Sequence, residues 1–496
     1  MRQSGVLMHI SSLPSPYGVG TMGKQAREFV EFLERAGQRY WQVLPIGPTS
    51  YGDSPYQSFS TFAGNPYFID LDDLAEEGLL EESEYAELDW GDPNWVDYGR
   101  LYELRYPVLR RAVKRLHENP PEDYGQFLRD NAHWLGDYAL FMALKDAHGG
   151  VCWQEWEEEL RDRDPQALEN ARRELADNVA FWEGVQYLFR HQWNALRDYA
   201  HEHCIAIIGD VPIYVAYDSA DVWSDRKQFQ LDEEGKPTEV AGCPPDAFSP
   251  TGQLWGNPLY DWDFMKRDGY RWWLTRIGHQ FSLVDTLRID HFRGFEAYYA
   301  IPYGDEDAVR GEWRQGPNMD LFRVINERMG RRSIIAEDLG FLTEPVYQML
   351  RESGYPGMKI LQFAFDGGDS EYLPHNYTNH SIVYTGTHDN ETVLGWVENS
   401  AAEAVEYAKE YLHITEDEGW SWGMMRGAWA SPCVLSVVTM QDLLELGVSG
   451  RMNTPSTLGE NWKWRALPDQ ITEELADRLL HAMKVYHREA FHSPLI

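Results

Sequence analysis

Short apolar runs rich in β-branched residues recur along the chain, each bounded by Gly, Pro or polar residues. Their length predicts β-strands at 5–10, 40–46, 205–211, 284–290, 333–338, 358–365, 381–386 and 446–452. Helical periodicity lies between them, for example over 25–36, 181–201, 321–329 and 345–352. Alternating strands and helices are typical of a parallel sheet covered by helices. Eight units favour an α/β fold of the (β/α)8 TIM-barrel type, while periodicity alone leaves a doubly wound open sheet as the alternative.

The uneven spacing of these runs predicts three insertions. We expect a mostly helical subdomain at about 66–180, a loop and hairpin at about 218–258, and a short subdomain at about 296–318. Loops that follow barrel strands lie at the C-terminal face, where active sites are built. Only one amphipathic helix, at 471–490, follows the last run. The chain therefore reads as a single catalytic domain, 1–496, without a C-terminal β-sandwich.

Charged residues mark the end of the fourth run. Period-two alternation turns Arg288 and Asp290 towards the barrel interior, near its C-terminal mouth. A buried carboxylate persists only when it is paired and hydrogen-bonded. We expect Arg288 to lower the pKa of Asp290 and keep it ionised, as a covalent glycosidase nucleophile requires. A purely structural ion pair is the alternative.

Two further acids follow other strands. Glu337 comes after apolar Ile335 and Ala336, so burial should raise its pKa and let it donate and later recover a proton. Asp389 follows the seventh run, beside His388. Three acids at three strand ends of one barrel are far less easily accidental than one.

Two motifs imitate cofactor sites. Residues 18–23 match the dinucleotide pattern GxGxxG, but a proline-containing segment separates them from the preceding strand. His201 and His203 lie only two apart at a helix end, which is the wrong spacing for zinc. The four cysteines form no CxxC pair. We therefore expect no cofactor and no metal.

The composition indicates which binding partners are disfavoured and which cellular compartment to expect. With 80 acidic and 44 basic side chains the net charge is −36, which disfavours nucleic acid and anionic membranes. No apolar run reaches the ~18 residues of a membrane span, no signal peptide is visible, and four cysteines make no disulfide scaffold. We expect a cytoplasmic protein. The 20 Trp exclude disorder and suit sugar binding, although most should lie in the core.

Ten ordered motifs carry a family resemblance, among them RIDHFRG at 288–294, AEDLG at 336–340 and GTHDNE at 386–391. The others lie at 9–20, 41–49, 51–60, 64–67, 208–215, 242–249 and 254–258. The chain resembles the amylomaltases, that is, the 4-α-glucanotransferases or disproportionating enzymes of the α-amylase superfamily.

The resemblance implies a retaining double displacement on an α-1,4-glucan. Asp290 would be the nucleophile, Glu337 the acid/base, and Asp389 a ligand of the distorted sugar at subsite −1. Retention predicts carboxyls roughly 5–5.5 Å apart, against ~6.5–9.5 Å for inversion. Ala247 replaces a bulkier residue expected there, which leaves the width of the acceptor site open. The substrate-binding residues implied are Ser54, Tyr56, Asp210, Asp246, Phe248, Trp255, Arg288, His291, His388 and Asn453.

The resemblance thus predicts transfer of a 1,4-α-D-glucan segment to the 4-OH of glucose or of another glucan, with maltodextrin as donor and acceptor. Large cyclic glucans would form when the acceptor is the donor's own end. The enzyme is expected to be a monomer or homodimer. An α-glucan hydrolase of the α-amylase type and a non-catalytic glucan-binding barrel are the alternatives. The missing β-sandwich favours the transferase.

Overall fold

The computed structural model describes residues 2–50, 52–245, 249–340 and 342–490. Within these ranges the chain forms twelve strands, numbered here β1 to β12 in chain order. Their bounds are Gln3–Leu7, Tyr40–Gln42, Ala206–Pro212, Glu239–Cys243, Gln253–Pro258, Thr286–Asp290, Ala297–Pro302, Glu312–Gln315, Ile334–Ala336, Gly357–Ile360, Ser381–Tyr384 and Leu435–Thr439.

Eight parallel strands form the barrel, in the order β10-β11-β12-β1-β2-β3-β6-β9. Its two ends meet where the Ala336 amide donates to the Pro356 carbonyl at 3.0 Å. The predicted TIM barrel is therefore confirmed over the open sheet. Alternate residues fill its interior, namely Leu7, Ile208, Ile335, Met358, Ile360, Ile382, Tyr384, Leu435 and Val437.

Helices surround the barrel and fill the insertions. The described residues form eighteen, α1 to α18, and no helix among them is both long and apolar enough to cross a bilayer. Their bounds are Lys24–Arg35, Leu71–Glu76, Tyr98–Glu118, Tyr124–Asp130, Leu135–Ala147, Glu158–Arg161, Pro165–Glu174, Ala176–Glu202, Ala220–Ser224, Trp262–Arg267, Arg271–Phe281, Met319–Met329, Glu344–Ser353, Val393–Asn399, Ala402–Leu412, Trp420–Ala430, Met440–Leu443 and Glu473–Tyr486.

The eighth barrel strand is not where the apolar pattern placed it. The strand is β12, whose five residues are all buried and which pairs with β1 and β11. The run 446–452 is instead a loop containing one 3-10 turn, Val448–Gly450. The strand prediction at 446–452 was therefore wrong. The physical reason is that Gly447 and Gly450 favour turns over strands.

Insertions build a second, smaller sheet beside the barrel mouth. Residues 218–258 supply β4 and β5, and residues 296–318 supply β7 and β8, in the antiparallel order β5-β4-β7-β8. Before β4 the chain makes a tight loop, where the Asp232 amide donates to the Lys236 carbonyl at 2.8 Å and Gly235 has a φ of +81°. Residues 66–180 contain α2 to α7 and the start of α8.

Candidate active site

Arg288 is the centre of a buried charge network at the barrel mouth. Its Nη1 donates to both carboxylate oxygens of Asp210, at 2.8 and 2.7 Å, and its Nη2 lies 3.0 Å from Oδ1 of Asp290. Strand alternation turns Arg288 inward, and register places it beside Asp210 on β3. The network therefore holds one cation, 3 % exposed, between two carboxylates.

Glu337 follows β9 and lies over the end of β6. Its Oε2 accepts from the His291 amide at 2.6 Å and its Oε1 from the Leu339 amide at 2.8 Å. Burial first, and the charge of Asp290 second, raise the pKa of Glu337 to about 8. Glu337 thus holds a proton at neutral pH, as its apolar surroundings in the sequence predict.

Two opposing influences act on the pKa of Asp290. Burial raises the pKa of Asp290 above its ordinary value, and the charge of Arg288 opposes this shift without cancelling it. Arg288 thus lowers the pKa of Asp290 as expected, but burial, which the sequence argument did not include for this residue, is the larger influence. Asp290 contacts the Arg288 cation directly, which favours its charged form, whereas burial and the charge of Asp290 favour the protonated form of Glu337.

Asp389 belongs to the loop after β11. Its Oδ1 accepts from the Asn453 side-chain amide at 2.6 Å, and its Oδ2 lies 3.4 Å from Nε2 of His388. The Asp389 side chain is 44 % exposed, whereas His388 is buried. This carboxylate is therefore held by neighbours and still open to a ligand.

Aromatic rings form one wall of the site. The Tyr56 hydroxyl donates to Asp210 at 2.9 Å, and the Tyr56 ring stacks on His388 with centroids 5.0 Å apart. Trp462 lies within 6 Å of both rings. Ser54 Oγ accepts from the Tyr56 amide at 3.2 Å, which fixes the loop that carries the ring.

His291 connects the centre to the second sheet. It has left-handed backbone angles, φ 53° and ψ 48°, and this turn directs its amide at Glu337. Trp255 on β5 meets the His291 ring edge-to-face at 4.9 Å. Burial lowers the pKa of His291 to about 3, so the imidazole is neutral. Asp246 and Phe248, also expected near the acceptor side, lie outside the described residues.

A family model described as 4-alpha-glucanotransferase, glycoside hydrolase family 77, matches residues 8–470. The chain belongs to this family. A 4-alpha-glucanotransferase of Clostridium butyricum is 51 % identical over 486 residues, covering 97 % of this chain and 100 % of the relative. One of Thermus thermophilus is 49 % identical, covering 96 % and 97 %. An amylomaltase of Streptococcus agalactiae, solved with acarbose, superposes with a TM-score of 0.97 at 42 % identity, covering 99 % and 100 %.

These matches confirm the 4-α-glucanotransferase activity predicted from the sequence and favour it over the hydrolase and the non-catalytic barrel. His201 and His203, the metal-like pair, instead contact Asp285 at 3.0 Å and Glu34 at 2.7 Å.

Three neighbours of this candidate site were missed by sequence reasoning. They are His9, Arg451 and Trp462. The His9 Nδ1 accepts from the Leu44 amide at 3.2 Å, and burial lowers the pKa of His9 to about 3. Arg451 and Trp462 both lie between α17 and α18. Arg451 falls within the run 446–452 that was predicted to be a strand, whereas Trp462 lies beyond that run. The motif 9–20 begins at His9, which was the available signal for it.

Proposed function

We propose that this enzyme cleaves a 1,4-α-D-glucan and passes the segment to the 4-OH of glucose or another glucan through a covalent glucosyl-enzyme. The supporting observation is the unequal pair of central carboxyls. Asp290 contacts the Arg288 cation at 3.0 Å, whereas burial raises the pKa of Glu337 to about 8. A retaining mechanism needs one ionised and one protonated carboxyl in this arrangement.

In the first half-reaction a carboxylate oxygen of Asp290 attacks C1 of the sugar at subsite −1. The glycosidic C1–O bond breaks, and Glu337 gives its proton to the departing O4. Arg288 orients Asp290, while Asp210 holds Arg288 from the other side. The product is a β-linked glucosyl ester on Asp290 and a shortened glucan with a free 4-OH.

In the second half-reaction the acceptor 4-OH loses its proton to the Glu337 carboxylate as its oxygen attacks C1. The ester bond to Asp290 breaks, which regenerates both carboxyls and restores the α-linkage. Water in place of the acceptor would give hydrolysis, so transfer depends on excluding water from the ester. Cyclic glucans form when the acceptor is the far end of the bound segment.

The surrounding residues receive binding roles. Asp389, Asn453 and His388 would hold hydroxyls of the −1 sugar, because Asp389 and His388 interact electrostatically with Asp290 and Asn453 donates to Asp389. The Tyr56 ring would contact that sugar and Ser54 would fix its loop. Trp255, His291, Asp246 and Phe248 are assigned to the acceptor side.

Maltotriose tests the reaction class. A transferase converts it to glucose together with maltodextrins longer than three units, because each displaced glucose leaves a maltosyl group that an acceptor takes up. Products should be separated by chromatography at several times. Glucose and maltose as the only products would show hydrolysis and would overturn the proposal. The same assay with long amylose reports whether cyclic products form.

We also infer a cytoplasmic location and a maltodextrin partner. The four cysteines, Cys152, Cys204, Cys243 and Cys433, form no disulfide, which suits a reducing compartment. The net charge of −36 disfavours nucleic acid as a partner. A monomer or homodimer is proposed, and light scattering of the purified chain would measure it.

A further inference from the structure

Arg451 connects two loops at the barrel mouth. Its Nη2 donates to the Asp389 carbonyl at 2.8 Å and its Nε to the Asn453 carbonyl at 2.9 Å. Its Nη1 pairs with the Glu391 carboxylate. The side chain is 20 % exposed, so these contacts are largely shielded from water. One guanidinium therefore satisfies three acceptors, two of them in the loop after β11 and one in the segment between α17 and α18.

Arg451 bonds the backbone carbonyls of Asp389 and Asn453, the two residues whose side chains are assigned to the site. Asn453 donates from its side chain to Asp389 and from its backbone to the His388 carbonyl at 3.1 Å. Gln362 donates to the Glu391 carbonyl at 2.8 Å, which links the same loop to the 3-10 turn that follows β10. Asp389 itself lies outside the regular helices and strands, and its amide also donates to Oγ1 of Thr387 at 3.3 Å. Its carboxylate is therefore positioned by hydrogen bonds of this kind.

We propose that Arg451 is a positioning residue for transfer: it fixes Asp389 and Asn453 so that both meet the −1 sugar. The proposal rests on the role given to Asp389 under the proposed function. Arg451 acts through its neighbours, because its donors are used on protein acceptors. The planar guanidinium reaches three separated acceptors at once, and a lysine ammonium cannot reproduce that geometry.

The primary test compares R451A and R451K with wild type in maltotriose disproportionation. A misplaced catalytic contact costs about 100-fold in rate, so R451A should lose about 100-fold in kcat, with a much smaller change in KM. R451K should recover only a small part. Unchanged kcat in R451A would overturn the proposal.

A matched control separates positioning from general stability. Arg426 on α16 also pairs with a carboxylate, Glu418, and donates to a main-chain carbonyl, that of Leu412 at 2.8 Å. Its side chain is 28 % exposed, close to that of Arg451. R426A should lower the thermal midpoint as much as R451A and leave kcat unchanged. Equal losses of kcat in R426A and R451A at equal stability would reduce Arg451 to a structural role.

A double-mutant cycle tests the route of action. Residues that act through one another are not additive, so R451A should remove little further rate once Asp389 is alanine. α-Maltosyl fluoride is the donor, because its good leaving group keeps slow variants measurable. If R451A lowers the rate of D389A as much as it lowers the rate of wild type, Arg451 does not act through Asp389. That result would overturn the inference about Arg451 and leave the proposed function untouched. Wild-type kcat in D389A would instead overturn the role given to Asp389 in the proposed function.

Discussion

At the scale of single residues, Glu337 shows opposing influences on one carboxyl. Backbone amides of His291 and Leu339 donate to it and favour its charged form, while burial and the Asp290 charge favour the proton and prevail. The apolar neighbours that cause the burial are adjacent in sequence, so the raised pKa could be predicted. The left-handed turn at His291 could not, because it depends on the loop packing against β9.

The pH dependence of the first half-reaction follows from that pKa. In the proposed mechanism Glu337 must be protonated to donate to the leaving oxygen, and burial raises its pKa from an ordinary carboxyl value to about 8. The value of kcat/KM for maltotriose should therefore be retained below pH 8 and fall as pH rises through about 8. Initial rates of glucose release between pH 5 and 10 measure it. Fluoride leaves without being protonated, so with α-maltosyl fluoride as donor the glycosylation step should keep its rate above pH 8. If the rate falls above pH 8 with both donors, the alkaline pKa belongs to a group other than Glu337.

Azide distinguishes the two carboxyls by stereochemistry. In E337A the glucosyl ester still forms from α-maltosyl fluoride, and azide replaces the acceptor, so the product should be α-maltosyl azide. In D290A no ester forms, and azide attacks C1 from the vacated side, so the product should be the β-anomer. Proton NMR coupling at C1 identifies each. The opposite pair of anomers would contradict the assignment of the two carboxyls.

D290N keeps the shape of the side chain but removes its charge, so it should abolish maltotriose turnover. Near-normal turnover in D290N would contradict the nucleophile role of Asp290.

At the scale of elements, the barrel could be predicted because each strand is a local pattern. Seven of the eight runs overlap barrel strands, whereas β12 was missed although its LSVVT segment is apolar and β-branched. The sheet built from 218–258 and 296–318 could not be predicted from the sequence. Its strands β4 and β7 are distant in the chain, and their pairing is set by tertiary packing. Arg451 was missed for the related reason that residues 446–452 were predicted to be a strand.

At the seam, where β9 and β10 meet and close the barrel, one glycine can be tested by substitution. Asp338 follows Glu337 and accepts from the Met358 amide at 2.6 Å, which helps to close the barrel. A Cβ on Gly357 would lie 2.3 Å from the Asp338 carboxylate, so G357A must displace it. Crowding of this kind costs about 1–3 kcal/mol. Denaturant unfolding should show that loss, together with reduced transfer, because Glu337 is the adjacent residue.

The control for G357A is G136A. Gly136 lies within α5 and an added Cβ there would meet nothing within 4 Å. Alanine favours a helix by about 1 kcal/mol over glycine, so G136A should be neutral or stabilising. Wild-type stability and activity in G357A would show that the seam tolerates movement of Asp338.

At the scale of the whole molecule, composition excluded partners more than it identified a substrate. Fifteen of the 20 Trp are buried, so the tryptophan content reflects mainly the core. Among the described residues, Trp255 contacts His291 and Trp462 contacts Tyr56. The acidic excess is likewise separate from the chemistry, since three of 80 carboxylates are given catalytic roles. Its effect should therefore appear in stability.

A net charge of −36 predicts that salt stabilises the fold. Self-repulsion is greater in the compact state than in the expanded chain, and salt screens it as the Debye length falls from about 30 Å at 0.01 M to about 3 Å at 1 M. Screening also weakens surface ion pairs, but each is worth only about 0–1 kcal/mol and many are exposed. The thermal midpoint should rise with added NaCl and, at equal ionic strength, equally with KCl. Sucrose at matched osmolality separates this screening from solvent exclusion. A midpoint that falls with NaCl would mean that ion pairs outweigh repulsion, and that the acidic surface is balanced locally by its arginines.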